Sequence, residues 1–159
     1  MDKNIAVVEK FYTSFQKLDY KGMAECYTND IVFSDPVFGL LKGDEVRGMW
    51  KMLCTRAKDF SLQFDNIKTD DNEYYTCEWT AKYIFSKSGR QVVNKCKAFM
   101  RVQDGVIIEH SDAFKYYKWV RQALGLPGLL LGWSGFMHNK IVKNARKQLT
   151  DFLAKEGAD

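Results

Sequence analysis

Proline is nearly absent, at two among 159 residues, which excludes collagen-like and proline-rich linker architectures. Histidine is as scarce, and His110 and His138 alone form no metal-ligand cluster. The cysteines at 26, 54, 77 and 96 match neither zinc-ligand nor redox-pair spacing. They read as reduced, buried thiols of a cytoplasmic protein. No apolar run approaches the ~18 residues of a membrane span. The first residues enter an amphipathic pattern, not the apolar core of a signal peptide. Phosphate loops, dinucleotide fingerprints and a Ser-His-Asp order are missing, so no cofactor is expected. Acidic side chains are missing locally. Residues 113–150 hold seven basic groups and no acidic one, whereas residues 1–112 carry 16 basic and 17 acidic groups. The usual cause of such a run is a solvated helix face. The modest net charge of +4 and the lack of a recognition motif argue against nucleic acid as a partner.

Aromatic residues are plentiful, at 14% of the chain. They suit a large core, a pocket or a subunit interface. A chain of this length buries roughly 70% of its unfolded surface and builds one core. Internal repeats and linkers are not visible.

Ile5, Val8, Phe11, Tyr12, Phe15 and Leu18 recur at helical spacing. Asp19 fits the N-cap of a second, short helix with Met23, Ala24 and Tyr27 inward, ended by Thr28-Asn29-Asp30. Ile31 to Asp35 reads as a strand stopped by Pro36. A third helix follows Gly43-Asp44, with Val46, Met49, Trp50, Leu53, Cys54 and Ala57 on one face. The period then switches to two over four long strands. Ser88-Gly89 fits a two-residue hairpin turn, and Gln103-Asp104-Gly105 a three-residue loop. Val106, Ile108, His110, Asp112, Phe114 and Tyr116 then share the inner face of the last strand. The tail adds a glycine-broken apolar stretch from Leu124 to Phe136. A helix follows, striped by Ile141, Ala145, Leu149, Phe152 and Leu153. The expected class is α+β, with helices on one face of a curved antiparallel sheet.

Asn94, His110 and Asp112 are polar where the alternation demands apolar residues. The hairpin loops set Asn94 opposite Phe114, Cys96 opposite Asp112 and Ala98 opposite His110. Asn94 and Asp112 are then diagonal neighbours, roughly 7–8 Å apart. Asp35 shares a face with Ile31 and Phe33 and joins the set. Each has a bland reading. Asp35-Pro36 is a common turn pair, and Asn94 or His110 fits a satisfied core position. A buried Asp112 must be paired or protonated. Together, four polar groups in an aromatic-lined enclosure resemble a small-molecule site. Asp35, His110 and Asp112 are the candidate catalytic residues. Asn94, Trp50, Trp79, Phe11, Tyr83 and Phe114 are the candidate ligand contacts, although the two tryptophans equally suit a plain core.

The order helix, helix, strand with Asp35-Pro36-Val37, helix, long meander resembles the nuclear transport factor 2-like superfamily. That group includes SnoaL-like polyketide cyclases, ketosteroid isomerases and limonene epoxide hydrolases. The carriers are Val7-Val8-Glu9-Lys10-Phe11, Asp30 to Val37 and Gly105 to Asp112. Phe38-Gly39, Met49 to Leu53 and Trp119 to Gly125 resemble an uncharacterised bacterial branch. The resemblance implies a cone-shaped sheet with N-terminal helices on its concave face, a deep pocket, and a homodimer packed through the sheet. It implies a family domain over residues 1–125. Residues 126–159 then form an apolar segment and a basic amphipathic helix packed on it. Asp35 matches the isomerase general base. Phe11 and about Ala98 stand where the isomerases hold the tyrosine and protonated aspartate that bind the oxyanion. Tyr12 is adjacent but points elsewhere on its helix. Asp112 matches a carboxylate of the epoxide hydrolases and Asp35 their asparagine, while their arginine and second aspartate fall near Trp79 and Ala81. The acidic residue of the cyclases falls near Lys115, where Asp112 is a substitute.

These readings leave three functions open. The first is a pocket for a small, mostly apolar molecule, with isomerase, cyclase or hydratase chemistry. Asp35 is then the base, His110 and Asp112 an acid-base or orienting pair, and Asn94 a contact to an oxygen. The second is a non-catalytic ligand-binding or dimeric scaffold protein, which the loss of oxyanion donors favours. The third is docking of the basic C-terminal segment on an anionic membrane. The third is weighed against an apolar stretch that covers the open end of the cone or a dimer partner, which is the preferred reading of that stretch.

Overall fold

A computed structural model describes residues 2–70 and 73–158. Helix α1 spans Lys3–Gln16, α2 Tyr20–Glu25 and α3 Asp44–Arg56. The strands are β1 Tyr27–Asp35, β2 Gly39–Lys42, β3 Ser61–Thr69, β4 Tyr74–Phe85, β5 Arg90–Gln103 and β6 Val106–Phe114. The chain ends in α4 Tyr116–Leu124, α5 Leu126–Leu131 and α6 Gly135–Ala158. Carboxylates cap the first two helices. Asp2 accepts from the Asn4 amide at 2.8 Å and Asp19 from the Gly22 amide at 3.0 Å.

Among the described residues six strands form one curved, unclosed sheet in the order β2-β1-β6-β5-β4-β3. Every pairing is antiparallel except that of β1 with β6. The expected α+β architecture is present, with one parallel pairing in the expected antiparallel sheet. Helices α1 and α3 bury Phe11, Phe15, Met49 and Trp50 against the inner face. All four cysteines are free and buried.

Several local expectations need correction. Tyr27 opens β1 instead of closing α2, so Thr28-Asn29-Asp30 lies within the strand. The β4–β5 connection has four residues, because Phe85 pairs with Arg90. The β5–β6 turn has two, because Gln103 pairs with Val106. Asp104 and Gly105 there have φ of 51° and 77°, the left-handed pair of a type I′ turn. A bulge follows at Ile108, since Val102 pairs with Ile107 but Arg101 with Glu109. As a result Ile107 is buried, and neither Val106 nor Ile108 is a fully buried inner-face residue. The tight turn and the bulge each shift the register by one residue. Their sum is two, so His110 and Asp112 keep the inner face but change partners. Asp112 faces Ala98, His110 faces Met100 and Cys96 faces Phe114. Asn94 therefore lies beyond the diagonal of Asp112. Its diagonal neighbours on β4 are Trp79 and Tyr83, either side of Ala81.

The strand ends at Phe114, and Tyr116 begins α4 instead of extending the sheet. Helix α6 packs Ala145, Leu149, Phe152 and Leu153 on the main core. Arg146 in α6 donates to the carbonyls of Phe38 and Leu40 at 2.9 and 3.0 Å. His138 Nε2 lies 2.8 Å from the Pro36 carbonyl. The C-terminal helix is thus tied to the turn that carries Asp35.

Candidate functional site

A cavity of about 390 Å³ lies between the inner sheet face and helices α1, α3, α4 and α6. Trp50, Trp79, Tyr83, Phe114 and Trp119 supply aromatic wall, and Met137, Ile141 and Ala145 of α6 close one side. Asp35, Asn94 and Asp112 reach the same space. Helix α6 covers the cavity. The apolar stretch of residues 124–136 contributes only Leu124 to its wall.

Asp35 ends β1 where Pro36 halts the ladder. Its Oδ1 accepts from the amides of Val37 at 2.9 Å and Phe38 at 2.6 Å, which folds the chain into an Asx turn. Its Oδ2 accepts no hydrogen bond from the described residues. Burial pushes this carboxyl up to about 6, and the charge of Asp112 adds to the rise. The two amides and His110 oppose it. Asp35 is both an ordinary turn former and a perturbed acid.

Asp112 is buried and paired, as its chemistry requires. His110 Nε2 lies 2.9 Å from its Oδ1, and Trp79 Nε1 donates to the same oxygen at 3.3 Å. Trp79 stands on β4 and Asp112 on β6. The indole can reach across because the intervening β5 positions hold the small residues Cys96 and Ala98.

Tyr27 and Trp50 complete the chain of contacts. Trp50 Nε1 donates to the Tyr27 hydroxyl at 3.0 Å, and that oxygen lies 2.7 Å from His110 Nδ1. Having accepted from Trp50, Tyr27 donates its own proton to Nδ1. The ring proton of His110 then sits on Nε2 and points to Asp112. Hydrogen-bond directions assign this tautomer. Burial first, then Asp112, holds the Tyr27 phenol well above its ordinary range.

Two expected contacts lie behind the wall. His110 has a fully buried side chain and does not line the cavity. Its hydrogen bond toward the space ends on Asp112. Phe11 packs on Tyr27, Trp50 and His110 and is likewise absent from the wall. Burial at helical spacing could not separate lining from backing. Tyr12 turns toward Phe64 and Trp79, and its hydroxyl has no partner among the described residues. The other candidate contacts, Asn94, Trp50, Trp79, Tyr83 and Phe114, do line the cavity.

The sequence reading missed Tyr27 as a bonded partner and Trp119 as a wall. Trp119 Nε1 donates to the Tyr83 hydroxyl at 2.8 Å. The hydroxyl proton of Tyr83 has no acceptor among the described residues. Burial pushes the Tyr83 phenol up to about 12, so it remains a donor. No sequence signal joins two aromatics so far apart. The unused polar residue at Asn94 was the nearest hint, being diagonal to Tyr83.

The model of the SnoaL-like domain matches residues 8–110, which span α1 through the middle of β6. The chain belongs to the SnoaL-like family. No curated protein matches this SnoaL-like sequence. Among solved structures it is similar to a nuclear-transport-factor-2-like protein of unknown function from Burkholderia pseudomallei. The TM-score is 0.68 at 20% identity, over 79% of this chain and all of that one. A limonene-epoxide-hydrolase-like enzyme of M. tuberculosis aligns with a TM-score of 0.65 at 22% identity, over 82% of this chain and 96% of that one. A candidate polyketide cyclase from Xanthomonas campestris aligns at 0.62 and 17%, over 76% and 96%. At these identities the likeness is one of fold, and one fold hosts many chemistries.

Among the described residues no cluster of His, Cys, Asp and Glu is arranged to hold a metal ion. What the SnoaL-like site offers is two carboxylates, a phenol donor and a carboxamide on an aromatic wall.

Proposed function

We propose that the cavity binds a small, mostly apolar organic molecule and that Asp35 acts on it as a general base. The reaction class is isomerisation, cyclisation or hydration, each of which needs a proton moved beside a polarised oxygen. One observation carries this reading: Asp35 is held by backbone amides through Oδ1, keeps Oδ2 free beside the cavity, and titrates at about 6. A base near the working pH takes and returns protons with least loss.

The remaining roles follow from position. Asp112 faces the cavity and receives or supplies the second proton. His110 is a positioning residue, holding Asp112 through Nε2 while Tyr27 holds its own ring. Tyr83 donates to a developing oxyanion, taking over from the donors that Phe11 and Ala98 cannot supply. Asn94 binds an oxygen or a water. Two copies pair through the outer sheet face, whose broad groove mixes Glu78 and Asp65 with Lys95 and Lys97 and so suits a self-complementary contact.

The test uses cyclic ketones as probes in heavy water. Exchange of protons beside the carbonyl, abolished in Asp35→Asn, is the expected result. Binding of the ketones without exchange, unchanged in Asp35→Asn, overturns the base role. It leaves the second reading, a ligand-binding protein without chemistry, which Phe11 and Ala98 favour.

A further inference from the structure

Helix α5 presents its large residues outward and its small ones inward. Gly128 and Gly132 press against α4 so closely that a Cβ at either would collide with Val120. Leu126, Leu129 and Leu130 recur at i, i+3 and i+4 on the opposite side, Trp133 lies in the turn just beyond the helix, and all four are exposed. Leu126 is 65% exposed, Trp133 76% and Phe136 81%. Trp133 and Phe136 together show on the order of 300 Å² of aromatic surface. A stretch expected to cover the cavity or a partner leaves this chain's own cavity to α6. Its glycines supply the close packing on α4, and its leucines leave about half or more of their surface uncovered.

The segment that carries the patch is cationic, although Lys115 lines the outer-sheet groove, Lys140 the cavity, and Arg146 is bonded to the Phe38 and Leu40 carbonyls. Lys115, Lys118, Arg121, Lys140, Lys143, Arg146 and Lys147 flank the patch in sequence, and no acidic residue occurs between 113 and 150. Among the described residues none of the seven forms an ion pair, although seven such pairs occur elsewhere or at His110. Among the described residues no helix is long and apolar enough to cross a membrane.

We infer that α5 and the start of α6 form a docking surface for an anionic lipid bilayer. Leucines and Trp133 enter the headgroup boundary, and the exposed Lys118, Arg121, Lys143 and Lys147 face the lipid phosphates. Charge decides between this occupant and a second copy of the chain. A two-fold pair on this surface sets the basic segment against itself, with no acidic group in the segment to answer it. An anionic membrane supplies the missing sign. The inference does not depend on Asp35 or on any chemistry in the cavity.

The test is flotation of the full chain with vesicles of phosphatidylcholine alone or with one-third phosphatidylglycerol, at low and high salt. The expected result is binding to the anionic vesicles only, weakened by salt, with a blue shift in tryptophan emission. Trp133 is the exposed tryptophan, since Trp50, Trp79 and Trp119 are buried. The double variant Trp133→Ala/Phe136→Ala is expected to lose more than about tenfold in binding. Lys143→Glu is expected to lose on the order of fivefold or more. These residues are exposed, and an unchanged melting temperature confirms folding. Equal binding to neutral vesicles overturns the proposal, as does no binding to either. If the double variant instead dissolves a dimer seen by sedimentation, the patch is a self-association surface and the proposal fails.

Discussion

The Tyr27 hydroxyl lies 2.7 Å from Nδ1 of His110, and this contact orients a carboxylate that neither aromatic ring touches from within the cavity. Tyr27 links β1 to β6 by a side chain as the backbone does by parallel pairing. Removing its hydroxyl leaves both the Trp50 indole and His110 Nδ1 buried without a partner. Tyr27→Phe is expected to lower stability by about 1–3 kcal/mol, as urea denaturation would measure. It should also redistribute the His110 tautomers, visible in nitrogen NMR as loss of the single Nε2–H form. Retention of that form would separate tautomer choice from Tyr27.

Asp35 gives a pH dependence with a defined sign. Its unfolded carboxyl titrates near 3.8 and its folded one at about 6, so between these values the folded state keeps a proton that the unfolded chain has released. Stability contributed by this group therefore falls as pH rises from about 4 to about 6 and stays lower above. Asp35→Asn retains an oxygen for the Val37 and Phe38 amides and removes the charge. At neutral pH it is expected to be more stable than the parent by about 1–3 kcal/mol, and the difference should vanish below pH 4. Denaturation curves of both proteins across pH check this. A difference independent of pH would show that the carboxyl is not perturbed.

Asn94 offers a test of the proposed ligand binding that is separate from the fold. No described residue bonds its carboxamide, so Asn94→Leu is expected to hold or gain stability. If the carboxamide binds a ligand oxygen, affinity for an oxygen-bearing ligand should fall about tenfold, whereas a pure hydrocarbon of similar shape should bind as well or better. Calorimetry with a matched ketone and hydrocarbon pair distinguishes the two.

Leu149 is nearly fully buried where α6 meets the core. Leu149→Ala is expected to cost about 2–5 kcal/mol. Arg146→Ala, which loses two bonds to backbone carbonyls near the surface, should cost less. Because α6 closes one side of the cavity, that variant should speed ligand release more than it lowers the melting temperature. Stopped-flow release beside thermal melts would show whether α6 is held as a wall.

The α+β class, the three N-terminal helices, the four long strands and the inward placement of Asp35, Asn94, His110 and Asp112 were all legible in the sequence. They follow from side-chain period, which each residue carries locally: 3.6 along a helix and two along a strand. The candidate polar set survived two errors of register at β5–β6 because those errors summed to an even number, and strand faces depend only on parity. Partners depend on the count itself. Whether Asn94 meets Asp112 or Tyr83, and whether Trp79 reaches Asp112 across Cys96 and Ala98, was decided by one bulge and one tight turn. Lining and backing were likewise decided in three dimensions. Phe11 and Trp50 are both buried, yet only Trp50 meets the cavity. The outward leucines of α5 belong to the same class. Composition revealed an apolar, glycine-broken stretch, and only the packing of Gly128 and Gly132 on Val120 turned its large side chains away from the core. Period is a property of the chain alone, while register, depth and facing arise from what the other elements leave room for.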